Sequence, residues 1–270
     1  MIDPRDMQSV LQSKLVDNWQ NENLIKEKKY LANEVPVAFV FNGISHAVMM
    51  TSPCDLQDFA IGFSYTEGLI SNPNDIINVE SLVVSGGIEL HLEVTSACEK
   101  RLKKLRRSLV GKTGCGLCGV ENFKQVDKDL SPVGMVCVSH KAIAKANRQL
   151  RKWQKLNTMT RSTHAAAWCS LRGDIQVVRE DVGRHNALDK LIGHLIQEHI
   201  NVHDGFMFLT SRASFEMIQK SIMIGVGMLT AISAATALAV NLAKNNNMAL
   251  AGFVRHNNLT VYTFPERFGF

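Results

Sequence analysis

Between Lys220 and Lys244 the chain runs for 23 residues without a charge, and few folds accommodate such a stretch. As one helix it is long enough to cross a bilayer. Seven of its residues, Ser221, Gly225, Gly227, Thr230, Ser233, Thr236 and Asn241, are polar or glycine and are spread along it rather than gathered at its ends. Gly225-Val226-Gly227 also breaks the run where a helix would hand over to a strand. These features predict a buried helix–strand–helix within a globular α/β layer rather than a membrane span. The bulk properties agree. A hydrophobic fraction of 46%, a charged fraction of 20% and a mean hydropathy of -0.02 exclude a disordered chain and a collagen-like fibre. At roughly 150 residues per domain, 270 residues allow one large or two modest domains with a full core.

The N-terminal thirty residues carry charges throughout and no apolar export segment, which points to the cytoplasm. Residues 1–22 read as a polar, flexible arm. Val35–Phe41 and Ile44–Thr51 around Asn42-Gly43 read as a β-hairpin, because Asn-Gly suits the positive φ of a type I′ turn. Asp55 to Leu69 is an amphipathic helix with Leu56, Phe59, Ala60 and Phe63 on one face. Asn78–Ser85 and Ile88–Thr95 form strands around Gly86-Gly87. Ser96 then opens a basic helix, with Glu99 completing a capping box. Ser139 to Trp153 is a second basic helix, its inward stripe being Ile143, Ala146, Leu150 and Trp153. From Thr163 onward short apolar strands alternate with helices, the pattern of an α/β sandwich. The predicted organisation is a smaller α+β domain over 23–110, a mobile Cys-x-x-Cys loop and linker over 111–129, and an α/β domain over 130–270.

Cys115-Gly-Leu-Cys118, bracketed by Gly114, Gly116 and Gly119, is the strongest local signal. A structural zinc site needs four ligands, and no second Cys-x-x-Cys or spaced His pair accompanies these two. A thioredoxin-like exchanger places its pair after a strand and at a helix start, whereas here a basic helix precedes a glycine-rich loop. The third reading, beside zinc and dithiol exchange, is a carrier thiol on a swinging arm. Seven Lys and Arg residues between Lys100 and Lys112 favour the thiolate, which is the nucleophile, and attract anionic ligands or acidic partners. Cys137 and Cys169 read as packing thiols in apolar runs.

Further along, Thr163-His164-Ala165-Ala166-Ala167 has Ala166 where a zinc deaminase would carry its catalytic Glu, and no Pro-Cys-x-x-Cys follows. His164 remains a candidate hydrogen-bonding group in a pocket. Arg179-Glu180-Asp181-Val182-Gly183-Arg184-His185-Asn186 places five ionisable groups at a strand-to-helix joint, where open α/β sheets bind ligands. Arg184 and His185 are the binding candidates there. Ser211-Arg212-Ala213-Ser214 opens the next helix with hydroxyls, a guanidinium and free N–H groups that suit a phosphate. Glu216 and Lys220 have the i, i+4 spacing of a stabilising pair.

Taken together these residues resemble the formate dehydrogenase accessory sulfurtransferase family (FdhD/NarQ). The resemblance runs through Asp58-Phe-Ala-Ile-Gly-Phe63 with Glu67-Gly68, Cys115-Gly-Leu-Cys118-Gly119, Thr163-His-Ala-Ala-Ala167 and Glu180-Asp-Val-Gly-Arg-His-Asn-Ala-Leu-Asp-Lys190. It continues through Ser211-Arg-Ala-Ser214, Ser233-Ala-Ala-Thr236 and Gly252-Phe-Val-Arg255. One departure is Arg161-Ser162, where the family leads us to expect Gly and a small residue.

The resemblance implies a cytidine-deaminase-like three-layer C-terminal domain without zinc, and a homodimer. It implies a sulfur carrier that takes sulfur as a persulfide from a cysteine desulfurase. That sulfur would pass to the bis(molybdopterin guanine dinucleotide) molybdenum cofactor before the cofactor enters formate dehydrogenase. By the match, Cys115 carries the persulfide and Cys118 assists. Phe253, Val254, Arg255, His256, Asn257 and Asn258 correspond to the segment that contacts the guanine dinucleotide. No metal held by side chains, no nucleic acid and no membrane are expected. The alternative is a molybdenum-cofactor-binding chaperone that does no sulfur chemistry itself.

Overall fold

Residues 9–109 and 130–270 are described by the computed structural model. Strands β1 (Leu11–Gln20) and β2 (Asn23–Ala32) pair antiparallel over ten residues each, from Leu11 opposite Ala32 to Gln20 opposite Asn23. Asn21 and Glu22, at φ 47° and 64°, form the two-residue turn between them. Residues 11–20 are thus one leg of a ribbon rather than part of a loose arm. A ribbon wetted on both faces needs no alternation of apolar and polar side chains, so it leaves no period-two signal to read. At its base Val10 and Leu11 pack against Cys54 and Leu156.

The first sheet has the order β4-β3-β6-β5. It is built from β3 (Val35–Phe41), β4 (Ile44–Thr51), β5 (Ile76–Val84) and β6 (Gly87–Val94). Asn42 and Gly43, at φ 45° and 79°, make the expected hairpin turn. Helix α1 (Leu56–Thr66) presses Phe59, Ala60 and Phe63 onto Phe39, Leu90 and Leu92, with the Phe39 and Phe63 ring centroids 4.3 Å apart. Helix α2 (Ser96–Leu109) follows β6. Its cap is Thr95, whose hydroxyl accepts from the Cys98 amide at 3.4 Å, so the expected Ser96–Glu99 box does not form. Glu99 instead meets Lys103 and the Asn42 side chain.

The second sheet has the order β12-β11-β10-β9-β7-β8. Along the chain come α3 (His140–Trp153), α4 (Lys155–Thr160), β7 (His164–Ser170), β8 (Ile175–Asp181), α5 (Arg184–Gln197) and β9 (Gly205–Leu209). Next are α6 (Phe215–Met223), β10 (Met228–Ala231), α7 (Ala237–Asn245), β11 (Ala249–Arg255) and β12 (Asn258–Thr263). The charge-free run is thus the end of α6, then β10, then the start of α7. Among the described residues no helix is long and apolar enough to cross a membrane.

Strand alternation divides the second core in two. Ala166, Trp168, Met207, Leu209, Leu229 and Ala231 face α5, α6 and α7, while Ala167, Cys169, Phe206, Phe208 and Met228 face α3. The result is a mixed α/β fold with three layers around the larger sheet. Cys169 is buried as expected, whereas Cys137 is exposed, in a stretch that forms no strand. Trp153, the expected end of the α3 stripe, stands 43% exposed.

A second buried face of α1 joins the two sheets. Apart from Phe59, Ala60 and Phe63, it buries Asp58, Ile61, Gly62, Ser64 and Thr66. Gly62 and Gly193 let the α1 and α5 backbones touch: a Cβ on Gly62 would overlap the Asp189 carbonyl, and one on Gly193 the Asp58 carbonyl. This close approach holds α5, and the loop before it, in a fixed relation to the first sheet.

Candidate functional site at one edge of the larger sheet

Strands β9, β10 and β11 run parallel, so their C-terminal ends share an edge. Because β7 is antiparallel to β9 and to β8, its first residue, His164, lies at that edge opposite Asp181, the last residue of β8. The loops beyond the edge are stitched together. Ala213 N–H donates to Ala234 O at 3.1 Å, Thr236 N–H to Ala213 O at 3.1 Å, and Phe253 N–H to Ser233 O at 3.1 Å. From β8 to β11 there are four inter-strand steps of about 4.8 Å, a front of roughly 19 Å. Helices α5, α6 and α7 start on it, at Gly183, Ser214 and Thr236, with their N-terminal dipoles facing outward.

The side chains on this front are cationic and incompletely partnered. Burial, together with the nearby Arg184 and His185, holds the His164 imidazole below its ordinary pKa, so it is neutral at pH 7. Arg184 Nε and Ser214 Oγ are both shielded from solvent and have no hydrogen-bond partner among the described residues. His185 Nε2 lies 2.5 Å from Glu216 Oε2, and that contact leads the causes that hold the Glu216 carboxyl below the usual range. Ser211 is buried and donates to the Arg212 carbonyl at 3.1 Å, while Arg212 reaches solvent. An anion laid along this front would meet guanidinium groups, helix N-terminal amides and a free hydroxyl.

At the far end, the segment 253–258 turns from β11 into β12. Phe253 takes φ 50°, a left-handed conformation costly for an aromatic residue, at a bulge between Gly252 and Arg255, and the residue is 45% exposed. Val254 points the other way, into the core beneath α3, so its side chain does not line the edge. Arg255, His256, Asn257 and Asn258 are exposed, with His256 at φ 53° in the turn. Arg148 of α3 donates to Asn257 Oδ1 at 3.3 Å.

Half of the charged strand-to-helix motif turns inward. Asp181 Oδ2 accepts from Lys190 Nζ at 2.7 Å, from the Ser52 amide at 2.9 Å and from the Thr51 hydroxyl. Its Oδ1 accepts from the Gly183 amide at 2.8 Å and Asn186 Nδ2 at 3.0 Å. Glu180 accepts from the Leu156 and Asn157 amides at 2.9 and 2.8 Å, and burial still pushes its carboxyl above the usual range. Lys220 does not pair with Glu216, as its spacing predicted. It reaches Asp189 at 2.7 Å and Glu67 at 2.8 Å. Sequence reasoning missed this division because the sign of a charge does not say whether its side chain faces core or solvent.

The FdhD/NarQ family model matches residues 32–269. The chain belongs to that family. Similar curated proteins agree with the match, each named sulfur carrier protein FdhD. That of Bordetella petrii is 48% identical over 243 residues, covering 88% of this chain and 86% of the relative. Those of Variovorax paradoxus and Cupriavidus necator are 48% and 47% identical, covering 89% and 93% of this chain and 87% and 88% of theirs. A crystal structure from Desulfotalea psychrophila, provisionally described as a formate dehydrogenase accessory protein, shares the fold with TM-score 0.75. It is 22% identical and covers 96% of this chain and 99% of its own.

For a member of the FdhD/NarQ family, the departure at Arg161 acquires a structural meaning. Arg161 caps α4 at φ 59°, ψ 21°, the left-handed region where glycine fits without strain. Arg161→Gly is therefore expected to stabilise the protein by about 0.5–1 kcal/mol, read as a small rise in melting temperature. Cys115 and Cys118 fall within the family match but outside the described residues. Among the described residues no group of three His, Cys, Asp or Glu is arranged to hold a metal ion.

Proposed function

We propose that this chain is a sulfur carrier for formate dehydrogenase maturation. Cys115 receives sulfur as a persulfide from a cysteine desulfurase, and Cys118 assists. The sulfur then goes to a bis(molybdopterin guanine dinucleotide) molybdenum cofactor bound as substrate along the edge of the larger sheet. The work is done in the cytoplasm by a homodimer that acts as a sulfurtransferase. In the loading step the Cys115 thiolate attacks the outer sulfur of the donor persulfide. The donor's S–S bond breaks, its cysteine leaves as a thiolate, and Cys115 keeps the transferred sulfur.

The observation that carries this reading is the coincidence of two features in one chain. A Gly-flanked thiol pair lies within the family match, and the described edge offers an elongated anionic ligand Arg184, Arg212, Arg255 and the starts of α5, α6 and α7. Neutral His164 adds a hydrogen-bonding group without a further charge. The exposed ring of Phe253 offers a stacking face for a base, and Arg255, His256, Asn257 and Asn258 border it. Ser211 and Ser214 supply hydroxyls beside the phosphates.

The test is intact-protein mass spectrometry after incubation with a cysteine desulfurase and cysteine. A gain of one sulfur atom, mapped to the peptide holding 115 and 118, is expected. If the Cys115→Ala, Cys118→Ala variant still matures active formate dehydrogenase, the chain is instead a cofactor-binding chaperone and the carrier reading fails.

A further inference from the structure

Arg184 and His185 are the first two residues of α5, yet neither is fixed by a capping side chain: Gly183, at the N-cap, has none to offer. Glu216 of α6 meets the His185 ring, but the backbone that carries both residues is tied to the other half of the molecule. The end of β4 is tied to the residues on both sides of the pair. Val182 N–H donates to Ser52 Oγ at 3.2 Å, and Asn186 Nδ2 donates to Met50 O at 2.8 Å. Lys190 Nζ closes the arrangement by donating to Ser52 O at 2.8 Å and Asp181 Oδ2 at 2.7 Å. Ser52, Asp181 and Lys190 are all buried, so these bonds form away from competing water. The ends of the loop are held rigidly while Arg184 and His185 project from its middle.

We propose that Ser52 is a positioning residue for the anionic ligand, acting through Val182 and, with Met50 and Asn186, holding Arg184 and His185 in register with the front of the larger sheet. This rests on the reading of that edge as the cofactor site. On this view the first sheet is part of the binding machinery, although none of its side chains need touch the ligand. A preorganised pair of cations loses less on binding than one that must first be ordered.

A second buried lysine cluster supplies the control. Lys220, Asp189, Glu67 and Thr66 join the same two halves, with Thr66 Oγ1 2.7 Å from Asp189 Oδ1 and 3.1 Å from Lys220 Nζ. None of these bonds reaches residues 182–186. A substitution there disturbs the junction without loosening the loop.

The experiment measures guanosine diphosphate binding by titration calorimetry on the full chain. The wild type is compared with Ser52→Ala, Asn186→Ala and Thr66→Val, and melting temperature is recorded for each. Ser52→Ala cuts the bond from Val182, and Asn186→Ala cuts the bond to Met50 together with the one to Asp181, so either alone reports the effect if the other fails to fold. About fivefold weaker binding is expected from Ser52→Ala, as for the loss of one buried hydrogen bond, and at least as much from Asn186→Ala, which loses two, with Thr66→Val binding like the wild type. Unchanged affinity in Ser52→Ala, or an equal loss in Thr66→Val, overturns the positioning role. A wild-type protein that does not bind guanosine diphosphate at all overturns the site reading itself, and the role of Ser52 with it.

Discussion

Alanine at Cys115 is expected to abolish sulfur uptake from the desulfurase, with the mass gain falling to background and formate dehydrogenase maturation falling with it. The loss should be complete because no other atom of the side chain can replace a thiolate as nucleophile toward sulfane sulfur. The fold should survive, since the described cores are assembled from other residues, and the far-ultraviolet circular dichroism should be unchanged. Cys118→Ala makes the informative comparison. If Cys118 assists rather than carries, that variant still gains one sulfur atom but delivers it more slowly. A label that persists in Cys115→Ala and vanishes in Cys118→Ala would exchange the roles of the two thiols. Cys54 and Cys169, both buried, offer no substitute of comparable reactivity, and mapping the label to its peptide separates the exposed Cys137 from the pair. Burial pushes Cys54 up to about 12 and raises Cys169 further, so both remain protonated near neutral pH.

How much of this was legible in the sequence depends on what each residue contacts. The Asn42-Gly43 hairpin and the strands from His164 onward could be read because their signals are local: turn chemistry in one case, short apolar runs in the other. The β1–β2 ribbon could not, because neither of its faces is consistently buried. Helix α1 was legible only on the face that meets the first sheet. Its other face packs on α5 through Gly62 and Gly193, a contact that leaves no apolar stripe.

The candidate edge shows the same limit. Its residues could be named from the motifs, since strand-to-helix joints in such sheets collect binding groups. Their division into outward and inward sets could not. Asp181 turns inward because Ser52, 129 residues earlier, presents an amide to it, and only the folded contact shows that. Glu216 illustrates the converse. Its spacing from Lys220 predicted a helical pair, but two stronger carboxylate partners inside the junction claim the lysine and leave Glu216 to His185. Sequence distance governs pairing only on a solvated helix, where no tertiary partner competes.

That buried lysine carries the largest stability effect we expect. Lys220→Met should cost about 3–5 kcal/mol, the range for removing one partner of a buried ion pair, and lower the melting temperature by roughly 6–20 °C. Burial works against the Lys220 ammonium, but Asp189 and Glu67 outweigh it and hold the group above the ordinary lysine value. The stabilisation is therefore fully present at neutral pH and is lost only as pH rises through that elevated value. In the variant, burial acts on Asp189 without an ammonium to oppose it, so its carboxyl pKa rises further. An acid whose folded pKa is raised binds more protons when folded, and stability then increases as pH falls toward the unfolded value near ~3.9. The gap between wild type and Lys220→Met should accordingly narrow between pH 7 and about pH 4.5, measured by urea denaturation across that range. Asp189→Leu combined with Lys220→Met removes both fully buried charges, leaving only the partly solvated Glu67, and should recover more than half of the loss, because the large penalty comes from the buried charge left alone rather than from the missing attraction. A gap that stays constant with pH, or a double variant no better than the single one, would show that the junction depends on the packing of the lysine stem instead.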